Sequence, residues 1–333
     1  MKRENTLDIA KGIVIILMVI GHCYSTQNEI LYMIYAFHMP FFFIVSGLLY
    51  GKKCRNENYQ FNPRKSIKKL LVPYFFYDGL FALFLVLLNH QQGLLQTTFD
   101  KMSKVITLRG ATVTWYLPCI LICEICFFML YKLLREKMIF EIAVLFLIGL
   151  LCPVKGYLEV VWRCFIAIGF FTYGFFVGGG KDKKIMFDLS SKKKGVLYGI
   201  IFLVYAVLAV KNGLVSLVIL QFGNPVLYVF NSILGTELLL VLAAWLDKRK
   251  VQGKLFVTFG KNTLMVLGTH MFLVEVIRLF DYKLCANLLK KLGLFEGIVF
   301  GIVVCSFEYI MILVYQKWKG KKNATNNCNC TCI

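Results

Sequence analysis

Charge is scarce in this sequence. Only 17% of its 333 residues are Asp, Glu, Lys or Arg, against about 25% in an average soluble domain. Acidic residues are the scarcer sign, 18 against 38 Lys and Arg. Proline is rare, with 6 residues, and no long stretch has the charge or low complexity of a disordered segment. These absences exclude an ordinary soluble domain and a long linker. What is present is apolar: 59% of the chain is AVILMFWYC, 30 residues are Phe, and the mean hydropathy is +0.69. A soluble core of this size cannot hide so much apolar surface, because much of any folded surface stays wet. The chain reads as all-α, a polytopic integral membrane protein.

A net charge of +20 raises the question of nucleic acid, but then the basic residues gather on one soluble face. Here they fall in short clusters between apolar runs, at Lys52–Arg55, Arg64–Lys69, Lys181–Lys184, Lys192–Lys194 and Lys248–Lys250. No nucleic-acid partner is expected. A span needs roughly 20 apolar residues, and ten are expected: 7–24, 31–50, 70–88, 115–134, 138–152, 164–179, 195–210, 225–246, 262–278 and 294–317. The run 214–222 is too short to cross and is expected to be re-entrant or interfacial. With the N-terminus inside, 27 Lys/Arg fall on the cytoplasmic side and 10 outside. That bias places both termini in the cytoplasm. The weak point is the outer loop after span nine, with Arg278, Lys283, Lys290 and Lys291.

The expected organisation is one membrane domain over 1–318 and a polar cytoplasmic tail over 319–333. Met1-Lys2-Arg3 before an apolar run imitates a signal peptide, but Asp8 and Lys11 interrupt the run and no small-residue cleavage site follows. Seven of the 12 Cys lie inside expected spans, where thiols usually behave as small apolar residues. The tail thiols Cys328, Cys330 and Cys332 have the spacing of a metal or lipid site, yet a frayed tail without a role explains them as well. No metal is expected.

Ionisable groups inside spans are costly and generally face a bundle interior or a water-filled cavity. Span one carries Asp8, Lys11 and His22. At 100° per residue, Lys11 to His22 is three turns plus about 20°, and Asp8 to His22 falls about 40° short of four turns. All three therefore share one stripe. Asp8 and Lys11, three apart, can neutralise each other, and His22 stands roughly 16 Å further along the axis. His38 enters span two at a similar depth, ahead of Pro40 and the small pair Ser46-Gly47. Span nine carries His270, on the face of Thr263. Asp78, Glu124 and Glu237 are further intramembrane carboxylates, and Trp115-Tyr116 stand at the outer end of span four.

Asp8-x2-Lys11-Gly12, Gly21-His22 and Phe37-His38-Met39-Pro40-x-Phe42-Phe43-x2-Ser46-Gly47 resemble the start of the membrane-bound acyltransferase type 3 family. Pro73-Tyr74, Trp115-Tyr116-Leu117 and Gly260-x2-Thr263 to His270 are similar to its later landmarks, and the nearest branch resembles the fucose 4-O-acetylase-like one. The resemblance implies a ten-helix enzyme of a bacterial plasma membrane. It would move an acyl group, usually acetyl, from cytoplasmic acyl-CoA to a hydroxyl of an extracytoplasmic or lipid-linked glycan. Acetyl-CoA is then the donor substrate, and the partners are membrane lipid, the saccharide acceptor and, as an option, a second copy of the chain. Acyl transfer needs a base at the hydroxyl and a stabiliser for the oxyanion. His22 is the expected base, His38 or His270 its orienting or oxyanion partner. Lys11, with Asp8, is expected on the CoA side, and Trp115, Tyr116, Glu124 and Glu237 on the acceptor side. A multi-pass transporter is the rival reading, since intramembrane charges also suit a relay.

Overall fold

The structure is a computed structural model that describes residues 5–55, 59–88, 94–179, 192–250, 254–284 and 287–329. It is almost wholly helical. Among the described residues, nine helical segments are long and apolar enough to cross a membrane, and many of their outward side chains are exposed apolar residues such as Phe76, Leu203 and Ile302. Lipid is the solvent that makes such exposure tolerable. The expected span 138–152 is the exception in length. It forms a helix over Met138–Leu151 of 14 residues, about 21 Å at 1.5 Å per residue, against a hydrocarbon core of about 30 Å. Charged Arg135–Lys137 bounds it on one side, and Pro153, which disfavours helical backbone before it, bounds it on the other.

Two compact units divide the chain, one of residues 1–26 with 246–333, the other of residues 27–245. The first contains α1 (Asn5–Cys23), α11 (Lys254–Lys261), α12 (Thr263–Leu284) and α13 (Glu296–Asn329). The second contains α2 (Glu29–Tyr35), α3 (His38–Cys54), α4 (Pro63–Leu88), α5 (Leu94–Ile106), α6 (Tyr116–Leu134), α7 (Met138–Leu151), α8 (Glu159–Gly179), α9 (Lys192–Asn212) and most of α10 (Pro225–Lys248).

In the first unit, small residues let backbones meet where hydrophobic attraction between helices is weak. A side chain at Gly12 would put its Cβ 1.9 Å from the Phe256 carbonyl oxygen, and one at Gly260 would put it 1.7 Å from that of Asp8. α1 and α11 are thereby locked backbone to backbone beside the Asp8–Lys11 turn. Two expected boundaries move. α12 runs past Arg278 to Leu284, and α13 runs on to Asn329. Arg278 therefore belongs to a helix rather than to an outer loop. Its guanidinium donates to the His22 and Tyr24 carbonyls at 3.0 and 3.3 Å. It thus satisfies the orphan carbonyls at the C-terminus of α1, where a cation is also favoured by the helix dipole.

In the second unit, the expected span 31–50 is broken into α2 and α3. Pro40 has no N–H, and its ring would clash with the Ala36 carbonyl in a continuous helix. Ser46-Gly47 is a packing notch: Gly47 lies against the Phe171 carbonyl of α8, while Gly174 and Gly178 of α8 accept the Ile44 and Leu48 carbonyls of α3. The run 214–222 is not helical. Ser216 and Gln221 exchange backbone hydrogen bonds of 2.8 and 2.9 Å across a tight turn, with Leu217, Leu220 and Phe222 buried.

Asp78 has a structural task. It is fully buried and accepts from the backbone N–H groups of Ala111 and Thr112 and from the hydroxyls of Thr112 and Thr114. One carboxylate thus fixes the loop entering α6. Asp78→Ala would strand two backbone donors at about 1–3 kcal/mol each, so the unfolding temperature in detergent is expected to fall sharply. An unchanged temperature would contradict the anchoring role.

Candidate active site

The stripe expected on α1 exists. Lys11 Nζ lies 2.8 Å from the Asp8 carboxylate, whose side chain is almost wholly buried. Lys11 keeps about a fifth of its side chain exposed, which suits a stem that lies along the helix while its head reaches a wetter zone. His22, at the other end of α1, is half-buried, and the Arg278 bonds hold its backbone. The Ser25 N–H and hydroxyl both donate to Glu296, at 3.2 and 2.8 Å. The last turn of α1 and the residues after it are therefore tied to both α12 and α13.

α12 brings His270 to His22, with ring centroids 5.5 Å apart and planes inclined by 34°. His270 is fully buried, and its Nδ1 lies 2.7 Å from the Val266 carbonyl. A carbonyl can only accept, so Nδ1 carries the proton and the lone pair resides on Nε2. Among the described residues, His270 Nε2 has no hydrogen-bond partner. A buried acceptor without a partner is costly, and it marks a place where a proton or a polar ligand belongs.

Thr269, the residue before His270, meets a buried acid of α13. Glu308 of α13 is fully buried. Thr269 Oγ1 lies 2.8 Å from the Met265 carbonyl and 2.8 and 3.0 Å from the two Glu308 oxygens. One hydroxyl has one proton. All three groups are satisfied when Glu308 is protonated and donates to Thr269, which donates to Met265. A neutral carboxyl is also the cheaper form in such surroundings. The available signal was simple: a Glu in the middle of an apolar span is a functional candidate by default. Glu308→Gln, which still donates, is expected to keep stability within about 1 kcal/mol of the parent. Glu308→Ala is expected to lower it measurably, read as unfolding temperature in nanodiscs. A destabilised Gln variant would mean the carboxylate is ionised.

The other expected site residues are placed as follows. Thr263 opens α12, so the threonine that meets the buried acid is Thr269, one residue from His270. His38 belongs to the second unit, as the first residue of α3. The helix break frees the Ile34 carbonyl, which lies 3.1 Å from His38 Nδ1, and the ring packs on Tyr35 at 4.8 Å. Its tautomer is therefore the same as that of His270. Tyr116 shares a 3.3 Å hydrogen bond with Ser46 and reaches the Phe42 carbonyl at 3.4 Å. Trp115 is buried under Arg163, whose guanidinium carbon lies 5.1 Å from its ring centre. Glu237 accepts from the Tyr173 hydroxyl at 3.1 Å, and Glu124 is half-buried on α6.

No curated protein and no solved structure matches the chain. The family model described as an acyltransferase domain matches residues 4–312, from the start of α1 to beyond Glu308. The match covers nearly the whole length of the chain. The chain belongs to the acyltransferase 3 family of membrane acyltransferases.

Proposed function

We propose that this acyltransferase moves an acyl group, acetyl first among the candidates, from acyl-CoA to a saccharide hydroxyl. The observation that carries this reading is the His22–His270 pair, with an unpartnered buried nitrogen on His270. His22 is the more exposed ring and serves as the base. It takes the acceptor's hydroxyl proton as the oxygen attacks the thioester carbonyl. The tetrahedral intermediate then collapses, the C–S bond breaks, and the proton held by His22 passes to the departing thiolate. His270 is the positioning residue: its Nε2 lone pair accepts from His22 and steadies the imidazolium while it exists.

Lys11, paired with Asp8, takes the CoA side, where a fixed cation attracts the anionic nucleotide. The order of motifs from Lys11 to Ser46-Gly47 supports the fucose 4-O-acetylase-like branch, and with it an extracytoplasmic or lipid-linked acceptor in a bacterial plasma membrane. Mass spectrometry of surface glycans from cells with and without the protein tests the reading. Loss of O-acetyl groups from one glycan on deletion is the expected result. Identical glycans, together with no acetyl-CoA consumption by purified protein offered that glycan, would refute it.

A further inference from the structure

Three thiols converge inside the second unit. Cys119 and Cys123 are one turn apart on α6, and Cys164 meets them from α8. All three are buried, and their sulfurs lie within 4.8 Å of one another. The Cys119 and Cys164 sulfurs are 3.6 Å apart. Among the described residues, no other three His, Cys, Asp or Glu groups come together in this way. A metal–sulfur bond of about 2.3 Å in a trigonal plane sets sulfur separations of roughly 4 Å, within the observed range. We propose that Cys119, Cys123 and Cys164 form a buried trigonal site for one Cu(I) ion.

The chemistry of the surroundings selects the ion. Soft thiolates favour Cu(I) and Zn(II) among biological cations. Structural zinc almost always takes four ligands in a tetrahedron, and the cluster supplies three. Loading exchanges three thiol protons for one Cu(I), leaving three thiolates and a net charge of −2. Such a charge needs a counter-charge in an apolar interior. Arg163 Nη2 and Arg109 Nε both contact Glu159, at 2.9 and 3.0 Å, so this triad has net charge +1. Arg163 immediately precedes Cys164 and stacks on Trp115, one turn from Cys119. The triad offsets half of the charge on the loaded site. Cys123 and Cys164 also line an apolar cleft of about 430 Å³, together with Cys126. The bound ion would pin α6 to α8, with no part in acyl transfer.

The test uses the full chain in nanodiscs, carrying Cys328→Ser, Cys330→Ser and Cys332→Ser to silence the tail thiols. Cu(I) is titrated against bicinchoninate under reducing conditions. The expected result is one Cu(I) per chain, with three sulfur neighbours by X-ray absorption. Cys119→Ser and Cys164→Ser are each expected to weaken binding more than loss of an outer-shell partner does, which is about 10–100-fold. Cys126→Ser leaves binding unchanged. Size-exclusion profiles verify folding, and Cys123→Ser replaces any variant that aggregates. Absence of stoichiometric Cu(I), uptake indifferent to these substitutions, Zn(II) retained in its place, or a Cys119–Cys164 disulfide under the same conditions would each overturn the proposal.

Discussion

His22→Ala is expected to abolish acyl transfer while leaving expression and membrane insertion intact. The general base in such a reaction contributes about 10²–10⁴-fold, enough to erase O-acetylation of cell-surface glycans in a steady-state assay. The structure separates this loss from misfolding. His22 is half-buried, whereas Arg278 holds the end of α1 through the backbone carbonyls of residues 22 and 24. Removing the ring deletes neither bond. Arg278→Ala, by contrast, is expected to lower the unfolding temperature as well as the rate. Near-normal glycan acylation by His22→Ala in a well-expressed protein would remove His22 from the chemistry. It would move the role of base to another group, with His270 the first candidate.

The helical class and the polar stripe of α1 were legible because both rest on local rules. Apolar run lengths locate spans, and a 3.6-residue repeat puts Asp8, Lys11 and His22 on one face. Boundaries were less legible wherever a charge is neutralised by a distant partner. Arg278 ends a span in sequence, but α1 carbonyls accept its charge and α12 continues. Arg163 likewise lies inside α8 because the Arg109 and Val218 carbonyls, more than 50 residues away, accept from its guanidinium. Glu308 was visible as a mid-span acid, yet only the fold shows that Thr269 is its partner. The one-turn spacing of Cys119 and Cys123 was visible too. Reading each thiol as a small apolar residue hid it, and no local rule announces that Cys164 arrives from another helix. The pairing of His22 with His270, 248 positions apart, is likewise a product of the tertiary fold.

Lys11 separates donor binding from structure, and its pairing with Asp8 makes the test sharp. Lys11→Met deletes the 2.8 Å ion pair with the buried Asp8 carboxylate, and removing one partner of a buried pair is destabilising. Reduced stability and reduced activity are therefore both expected of the single variant. Asp8→Asn with Lys11→Met removes the carboxylate charge together with the cation it faces, so stability should return. If Lys11 also holds the CoA phosphates, activity should not return with it. A charge-assisted contact of about 1.5–3 kcal/mol leaves the double variant roughly 10–150-fold slower at limiting acetyl-CoA. Lys11→Arg keeps a cation and should retain most of the rate, although its planar guanidinium meets Asp8 with a different geometry. The decisive reading is acetyl-CoA turnover by the double variant in nanodiscs, at matched protein content. Recovery to the parent rate would reduce Lys11 to a counter-ion for Asp8. Stable but slow protein assigns it to the donor.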